Sequence, residues 1–134
     1  GSAPDFVKPG KSLAESRLGV LSTAGTYVAG QVAYHYKDDT SIRVIPSSTS
    51  VEEIRFSHVT ENYLVDARQD PRCVFPIQAL KKLADQGVIG SLADNYFSCM
   101  GGIYSQRRVT AELIPALEAK LHFEEIDLLL LVPL

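Results

Sequence analysis

The sequence is short of net charge, of cysteine and of long apolar runs, and each shortage removes a class of function. Thirteen Lys and Arg stand against sixteen Asp and Glu in 134 residues, a formal charge of −3. With no block of like positive charge there is nothing to release counterions from a phosphate backbone or to hold an anionic lipid surface, so neither nucleic acid nor membrane is an expected partner. The longest apolar stretch, Leu128 to Val132 with its neighbours, falls far below the roughly 18 to 20 residues of a bilayer-spanning helix. No basic segment followed by an apolar core opens the chain; Gly1 and Ser2 read as a scar of tag removal, and the cytoplasm is the expected compartment. The two cysteines, Cys73 and Cys99, lack the paired spacing of a zinc site or a redox dithiol, so no metal is expected and both read as reduced, mostly buried thiols. Internal repeats and low-complexity tracts are also absent.

What is present suits one core. At 46% hydrophobic and 22% charged, a chain of this length buries roughly two thirds of its unfolded surface in a single domain. Residues 1–13 are the expected scar and lead-in loop, and 14–134 a single α/β domain. Leu18 to Leu21 form a continuous apolar run entering a loop of small residues at Ser22, the pattern of a strand covered on both faces. From Tyr27 to Pro46 no period of 2 or 3.6 is sustained, and the stretch reads as a long, ordered, functional loop, its aromatic and β-branched content arguing against disorder. Ser50 and Glu53 have capping-box spacing, good for one helical turn, before Ile54 and Phe56 alternate in a short strand ending near His58. Glu61 to Asp70 reads as another polar loop.

Ile77, Leu80, Leu83 and Ala84 then recur at helical spacing between Pro76 and Gly87. Val88, Ile89 and Leu92 return to the core, and Asn95 to Gly102 form a strand and a glycine turn. Ser105 is placed to cap a helix with Val109, Leu113, Leu117 and Leu121 on one face, bent by Pro115. Ile126 to Val132 reads as a central parallel strand. The order predicts an α/β fold with a mostly parallel sheet and covering helices, Rossmann-like or flavodoxin-like. Such a buried strand is normally followed by a loop and a helix, so the chain is expected to be truncated at its C-terminus. In open sheets of this class ligands bind outside the carboxyl ends of the strands, which directs attention to the STAGT loop after Leu21, the region after His58 and whatever follows Leu134.

Five blocks carry a resemblance: AESRLGVLSTAGTYVAGQ, HYKDDTSIRVIPSS, FSHVTENYLVDARQDPRCVFP, LADQGVIGSLADNYFSCMGGIYS and LLLLVPL. From Ala14 onward the chain resembles the N-terminal part of the glycine, sarcosine, betaine and D-proline reductase selenoprotein B family. That resemblance implies a subunit of a reductase that cleaves a carbon–nitrogen bond α to a carboxylate with a selenocysteine or cysteine nucleophile. It also implies a small amino or imino acid substrate, a second reductase subunit that in some relatives bears a pyruvoyl group, a thioredoxin-like electron donor, and a homo- or hetero-oligomer. In the branch nearest this sequence the nucleophile follows the last strand in a Cys-Pro or selenocysteine-Pro motif. Here VPL ends the chain where that motif is expected, and neither Cys73 nor Cys99 matches it. The other reading is a non-catalytic binding or assembly module of the same fold.

The residues themselves nominate a site. Arg43 suits a substrate carboxylate because its planar guanidinium offers two parallel hydrogen bonds, with a salt bridge to Asp38 or Asp39 as the alternative. His58, at a strand end, is the candidate for proton transfer, against a structural histidine hydrogen-bonded to backbone. Thr23 and Gly25 lie in a loop whose N–H groups could cradle an anion, although it lacks Walker and dinucleotide spacings. Asp39 and Asp66 are candidates to orient Arg43 or His58. Met100, Gly101, Gly102 and Tyr104 could shape a pocket floor, with an ordinary turn as the alternative. His35 is a weaker histidine candidate, and His122 suits the end of a helix dipole.

Overall fold

The structure is a computed structural model that describes residues 11–34, 39–56, 76–101 and 105–132. Its centre is β1 (Arg17–Ser22), buried at every position after Arg17, as the uninterrupted apolar run requires. On one side β1 pairs in parallel with β5 (Ser91–Leu92) along its first half and with β6 (Asn95–Ser98) along its second. On the other side it pairs in parallel with β7 (Leu128–Val132) over five residues. β3 (Arg43–Pro46) joins β6 antiparallel, so the sheet is mixed. A separate two-stranded antiparallel ribbon is formed by β2 (Thr26–Val28) and β4 (Ile54–Phe56).

Side chains alternating along the strands feed two cores, one on each face. Val20, Ile45 and Tyr96 point to the face covered by Ile77 and Leu80 of helix α1 (Ile77–Asp85) and by Ile54 of β4. Leu21, Phe97 and Cys99 point to the other, covered by Leu113, Leu117 and Leu121. The three leucines lie on one continuous run made of α2 (Gln106–Arg108), a π-helical turn (Val109–Leu113) and α3 (Ile114–Phe123). Ser105 caps this run as expected, its Oγ accepting from the Arg108 amide at 3.3 Å. Pro115 falls at the start of α3. It has no N–H, and its ring crowds the carbonyl four residues back; the wider π turn absorbs both.

Both long helices end in the same way. At α1 the Gly87 amide donates to Ala84 and the Val88 amide to Leu83; at α3 the Glu125 amide donates to His122 and the Ile126 amide to Leu121. These are Schellman caps, whose first residue past the helix must be left-handed. Gly87 meets that with φ +77°, and Glu125 adopts φ +55° without glycine's freedom. The cap turns Ile126 into the core beneath Gly19, where any Cβ would stand 2.6 Å from Ile126 Cδ1.

Several expectations are corrected. Tyr27 to Pro46 is not one long loop: the end of β2 and all of β3 lie within it, strands of three and four residues that are too short to show a period. β4 stands in the ribbon and not in the main sheet. Ser50 precedes a single 3-10 turn (Val51–Glu53) as expected, but without a side-chain cap; its Oγ donates to Glu52. Ile126 to Val132 does give a parallel strand, yet β7 pairs with β1 alone among the described residues, and Leu130 and Leu131 are exposed. It is an edge strand there, not a central one.

The amino ends of β1 and β7 are held by Asp127, only 4% exposed. Its Oδ2 accepts from the Arg17 amide at 3.0 Å and from Lys11 Nζ at 2.9 Å. Arg17 in turn donates to the carbonyls of Leu92 and Glu124. This anchorage fixes the strand register that carries through to the opposite, carboxyl end.

Candidate functional site at the carboxyl rim

Register places Ser22, Ser98 and Val132 side by side at the carboxyl ends of β1, β6 and β7. Because β3 runs the other way, its first residue, Arg43, is the one opposite Ser98. The antiparallel strand thus delivers an arginine to the rim where open α/β sheets bind their ligands.

Arg43 is held from several sides. Its Nε donates to the Val32 carbonyl at 2.8 Å and its Nη1 to Ser41 Oγ at 2.6 Å, while Nη2 lies 3.5 Å from the Ala33 carbonyl. The guanidinium carbon sits 4.4 Å from the centroid of the Tyr34 ring, a cation–π stack. Tyr34 itself is 7% exposed. Its hydroxyl donates to the Ser98 carbonyl at 2.5 Å and accepts the Arg43 amide at 3.0 Å. Loss of solvent pushes this phenol up to about 12, so it stays neutral and able to donate.

Asp39, 6% exposed, accepts from both the amide and the hydroxyl of Ser41. Of the alternative partners for Arg43, Asp39 is linked to it through Ser41 and not by a direct salt bridge, and Asp38 lies outside the described residues. The next residue, Thr40, donates to Glu112 Oε2 at 2.6 Å, and Glu112 also accepts from Arg108. That hydrogen bond from Thr40, with Arg108 alongside, lowers the Glu112 carboxyl below its usual range. The segment bearing Arg43 is therefore tied to the sheet by Tyr34 and to the π-helical turn by Thr40.

Thr23 and Gly25 do lie at the rim, but not as an anion cradle. The Thr23 amide donates to Val132, the Ala24 amide to Ser22 Oγ, and the Gly25 amide to Cys99. The Thr23 and Gly25 amides join the end of β1 to its neighbours, the Ala24 amide closes a local turn, and Gly25 takes the left-handed φ of +66° that the turn requires. Met100 is buried and Gly101 packs on Thr23, where a Cβ would meet the Thr23 carbonyl at 3.0 Å. His58, Asp66 and Tyr104 lie outside the described residues, as do His35, Cys73 and Gly102. His122 is exposed in the last turn of α3. Among the described residues no cluster of His, Cys, Asp or Glu could hold a metal ion, and no helix is long and apolar enough to cross a membrane.

Cys99 is 4% exposed, and burial pushes its thiol up to about 11. At neutral pH it is protonated and enclosed, the opposite of a reactive thiolate. Tyr96 is likewise pushed up to about 12 by burial. Cys99, Tyr34 and Tyr96 are all neutral when protonated, and the folded chain holds their protons more tightly than the unfolded one. Their stabilisation is complete below the ordinary thiol and phenol values of 9 and 10 and is lost as pH rises towards 11 to 12. Melting temperature should therefore stay level to about pH 8.5 and fall steeply beyond it; a flat alkaline limb would contradict this burial.

A concavity of about 550 Å³ lies between α3 and the sheet near the amino end of β6. Val44, Phe97, Ala116 and Ala119 give it an apolar lining, with Phe123 at its lip. It sits away from the charged groups of the rim.

Among curated proteins, the chain is similar to the D-proline reductase subunit gamma of Acetoanaerobium sticklandii, with 31% identity over 121 residues. The chain is a distant relative of that reductase subunit. The match covers 90% of this chain and 50% of the relative, so the chain spans about half the length of the curated protein it matches. No protein-family model matches it, and no solved structure does. The comparison supports a reductase relationship, the coarser part of what the sequence blocks imply.

Arg43 and Asp39, both nominated from the sequence, are brought together through Ser41; Tyr34, Ser41 and Ser98, which complete the arrangement, carry no such nomination. For Ser41 a signal existed: Asp-x-Ser is the spacing of an Asx-turn, in which the carboxylate accepts the amide two residues on.

Proposed function

We propose that this chain is part of a selenoprotein B-type subunit of an amino- or imino-acid reductase and that its rim binds the substrate's carboxylate through Arg43. The observation that carries this reading is the position of Arg43: fixed at the strand ends, with five N–H donors of which three are occupied. The similarity to a D-proline reductase subunit favours a small substrate bearing one carboxylate, such as D-proline, sarcosine, glycine or betaine.

The sheet geometry also supports placing the nucleophile after β7. From Arg43 on β3 to Val132 on β7 is three strand spacings, about 14 Å between backbones. Both lie on the same carboxyl rim, so an acid held at Arg43 and a residue just beyond β7 would share that rim. Cys99 is unsuited to the step, being a buried thiol. A cysteine or selenocysteine beyond β7 would attack the α-carbon, forming a carbon–sulfur or carbon–selenium bond as the carbon–nitrogen bond breaks and the amine leaves with a proton; a thioredoxin-like dithiol would then take the sulfur or selenium, the α-carbon leaving with a proton, and close to its disulfide to free the nucleophile. The pyruvoyl group implied by the resemblance belongs to a partner subunit, where it would engage the substrate amine while Arg43 holds the acid end.

The test uses the full-length natural subunit with its partner subunits and a dithiol reductant. Arg43→Met keeps the apolar stem and removes the fork. A charged hydrogen bond is worth about 1.5 to 3 kcal/mol, so KM for D-proline should rise at least tenfold, with Arg43→Lys intermediate. An unchanged KM would discard the anchor. Saturable binding without turnover in the wild-type assembly would favour the non-catalytic module.

A further inference from the structure

We propose that Ser41, backed by the buried carboxylate of Asp39, is the positioning residue that holds the Arg43 guanidinium ready for a substrate carboxylate; this rests on the reading of Arg43 as the anchor. Three groups fix the guanidinium edge, and they differ in firmness. The carbonyls of Val32 and Ala33 belong to exposed residues. Ser41 is the contact tied directly to the interior, because Asp39 accepts both its amide and its hydroxyl.

That double bond to Asp39 fixes how the serine acts. With its hydroxyl proton committed to the carboxylate, Ser41 Oγ turns a lone pair to Arg43 Nη1, 2.6 Å away. The negative charge of Asp39 polarises the hydroxyl and strengthens its acceptance from the cation. The interposed serine also keeps the carboxylate itself off the fork. A direct Asp39–Arg43 pair could close two parallel N–H directions at once, whereas the hydroxyl occupies one; with Val32 and Ala33 taking two more, two of the five are left for an incoming acid. Tyr34 completes the device by covering one face of the guanidinium. An arginine restrained in this way has already lost the rotamer freedom that binding would otherwise cost.

Ser41→Ala cuts the link while leaving Asp39 and Arg43 in place. Nitrogen-15 NMR of the 134-residue chain reads the Arg43 Nε–H directly: a sharp, slowly exchanging signal is expected in the wild type, broadened in Ser41→Ala and restored in Ser41→Thr. D-Proline affinity should fall threefold to tenfold in Ser41→Ala, with no further loss when the change is made in an Arg43→Met background. Asp39→Asn, which preserves shape, should show a weaker form of both effects and serves if Ser41→Ala does not fold. Equal losses in both backgrounds, or an unchanged Nε–H signal, would overturn the positioning role. Failure of the wild type to bind D-proline would instead remove the anchor reading, and the Nε–H signal would still decide whether Ser41 restrains Arg43.

Discussion

Replacing Gly90 with alanine is expected to lower the melting temperature by about 10 to 15 °C. Gly90 passes directly over the 3-10 turn that leads into β1 (Leu13–Glu15). Its amide donates to Leu13, and the next amide, of Ser91, donates to Ser16. A Cβ at this position would stand 2.8 Å from the Ala14 carbonyl oxygen and 2.9 Å from both Glu15 C and Ser16 O. All three are backbone atoms, so no side-chain rotation can relieve the contact. Either β5 leaves β1 or the turn leaves both. Overpacking of this kind costs about 3 kcal/mol or somewhat more, and each kcal/mol moves the midpoint of a domain this size by about 3 to 5 °C. Gly87→Ala is the control: its φ of +77° disfavours alanine, but open space surrounds it. Its expected cost is about 1 kcal/mol. Thermal unfolding followed by circular dichroism checks the ranking; equal midpoints would mean that the turn does not rest on Gly90.

Tyr34→Phe is expected to cost about 2 to 4 kcal/mol although it deletes one atom. The hydroxyl joins two backbone groups, accepting from the Arg43 amide and donating to the Ser98 carbonyl. Without it both are left without this partner in a buried setting, and each unsatisfied group costs about 1 to 3 kcal/mol. The ring remains, so the stack under the guanidinium is retained. Urea unfolding should show a lower midpoint with an unchanged slope. The variant should also lose part of the alkaline instability, since one of the three high-pKa groups is gone. A wild-type midpoint would show that the hydroxyl does not bridge β3 and β6.

Both predictions concern contacts between segments far apart in the chain, and there the sequence was least legible. Local features could be read directly. The unbroken apolar run of Leu18 to Leu21 predicts a strand buried on both faces; Gly87 predicts the end of α1; Ser105 predicts its cap. Each follows from a few neighbouring residues. β7 was legible as a parallel strand, but its edge position is a property of the sheet. β2 and β3 were hidden because Gly30, Asp38 and Asp39 interrupt the pattern between very short strands. The candidate site divides in the same way. Arg43 is recognisable as an anion-binding side chain anywhere, yet its arrival at the rim depends on β3 running antiparallel to β6. Thr23 and Gly25 suit an anion cradle by sequence because the partners of backbone donors are invisible there; in the fold their amides are spent joining the end of β1 to Val132 of β7 and to Cys99 just after β6.

Carboxylate binding to the restrained fork of Arg43 is tested most directly by an amide-resolved NMR titration of the 134-residue chain with D-proline. Saturable shifts centred on Ser41, Arg43 and Ser98, together with the Arg43 Nε–H and absent in Arg43→Met, are the predicted result. Shifts that never saturate, or that saturate only around Ala116, Ala119 and Phe123 of the groove beside α3, would contradict it.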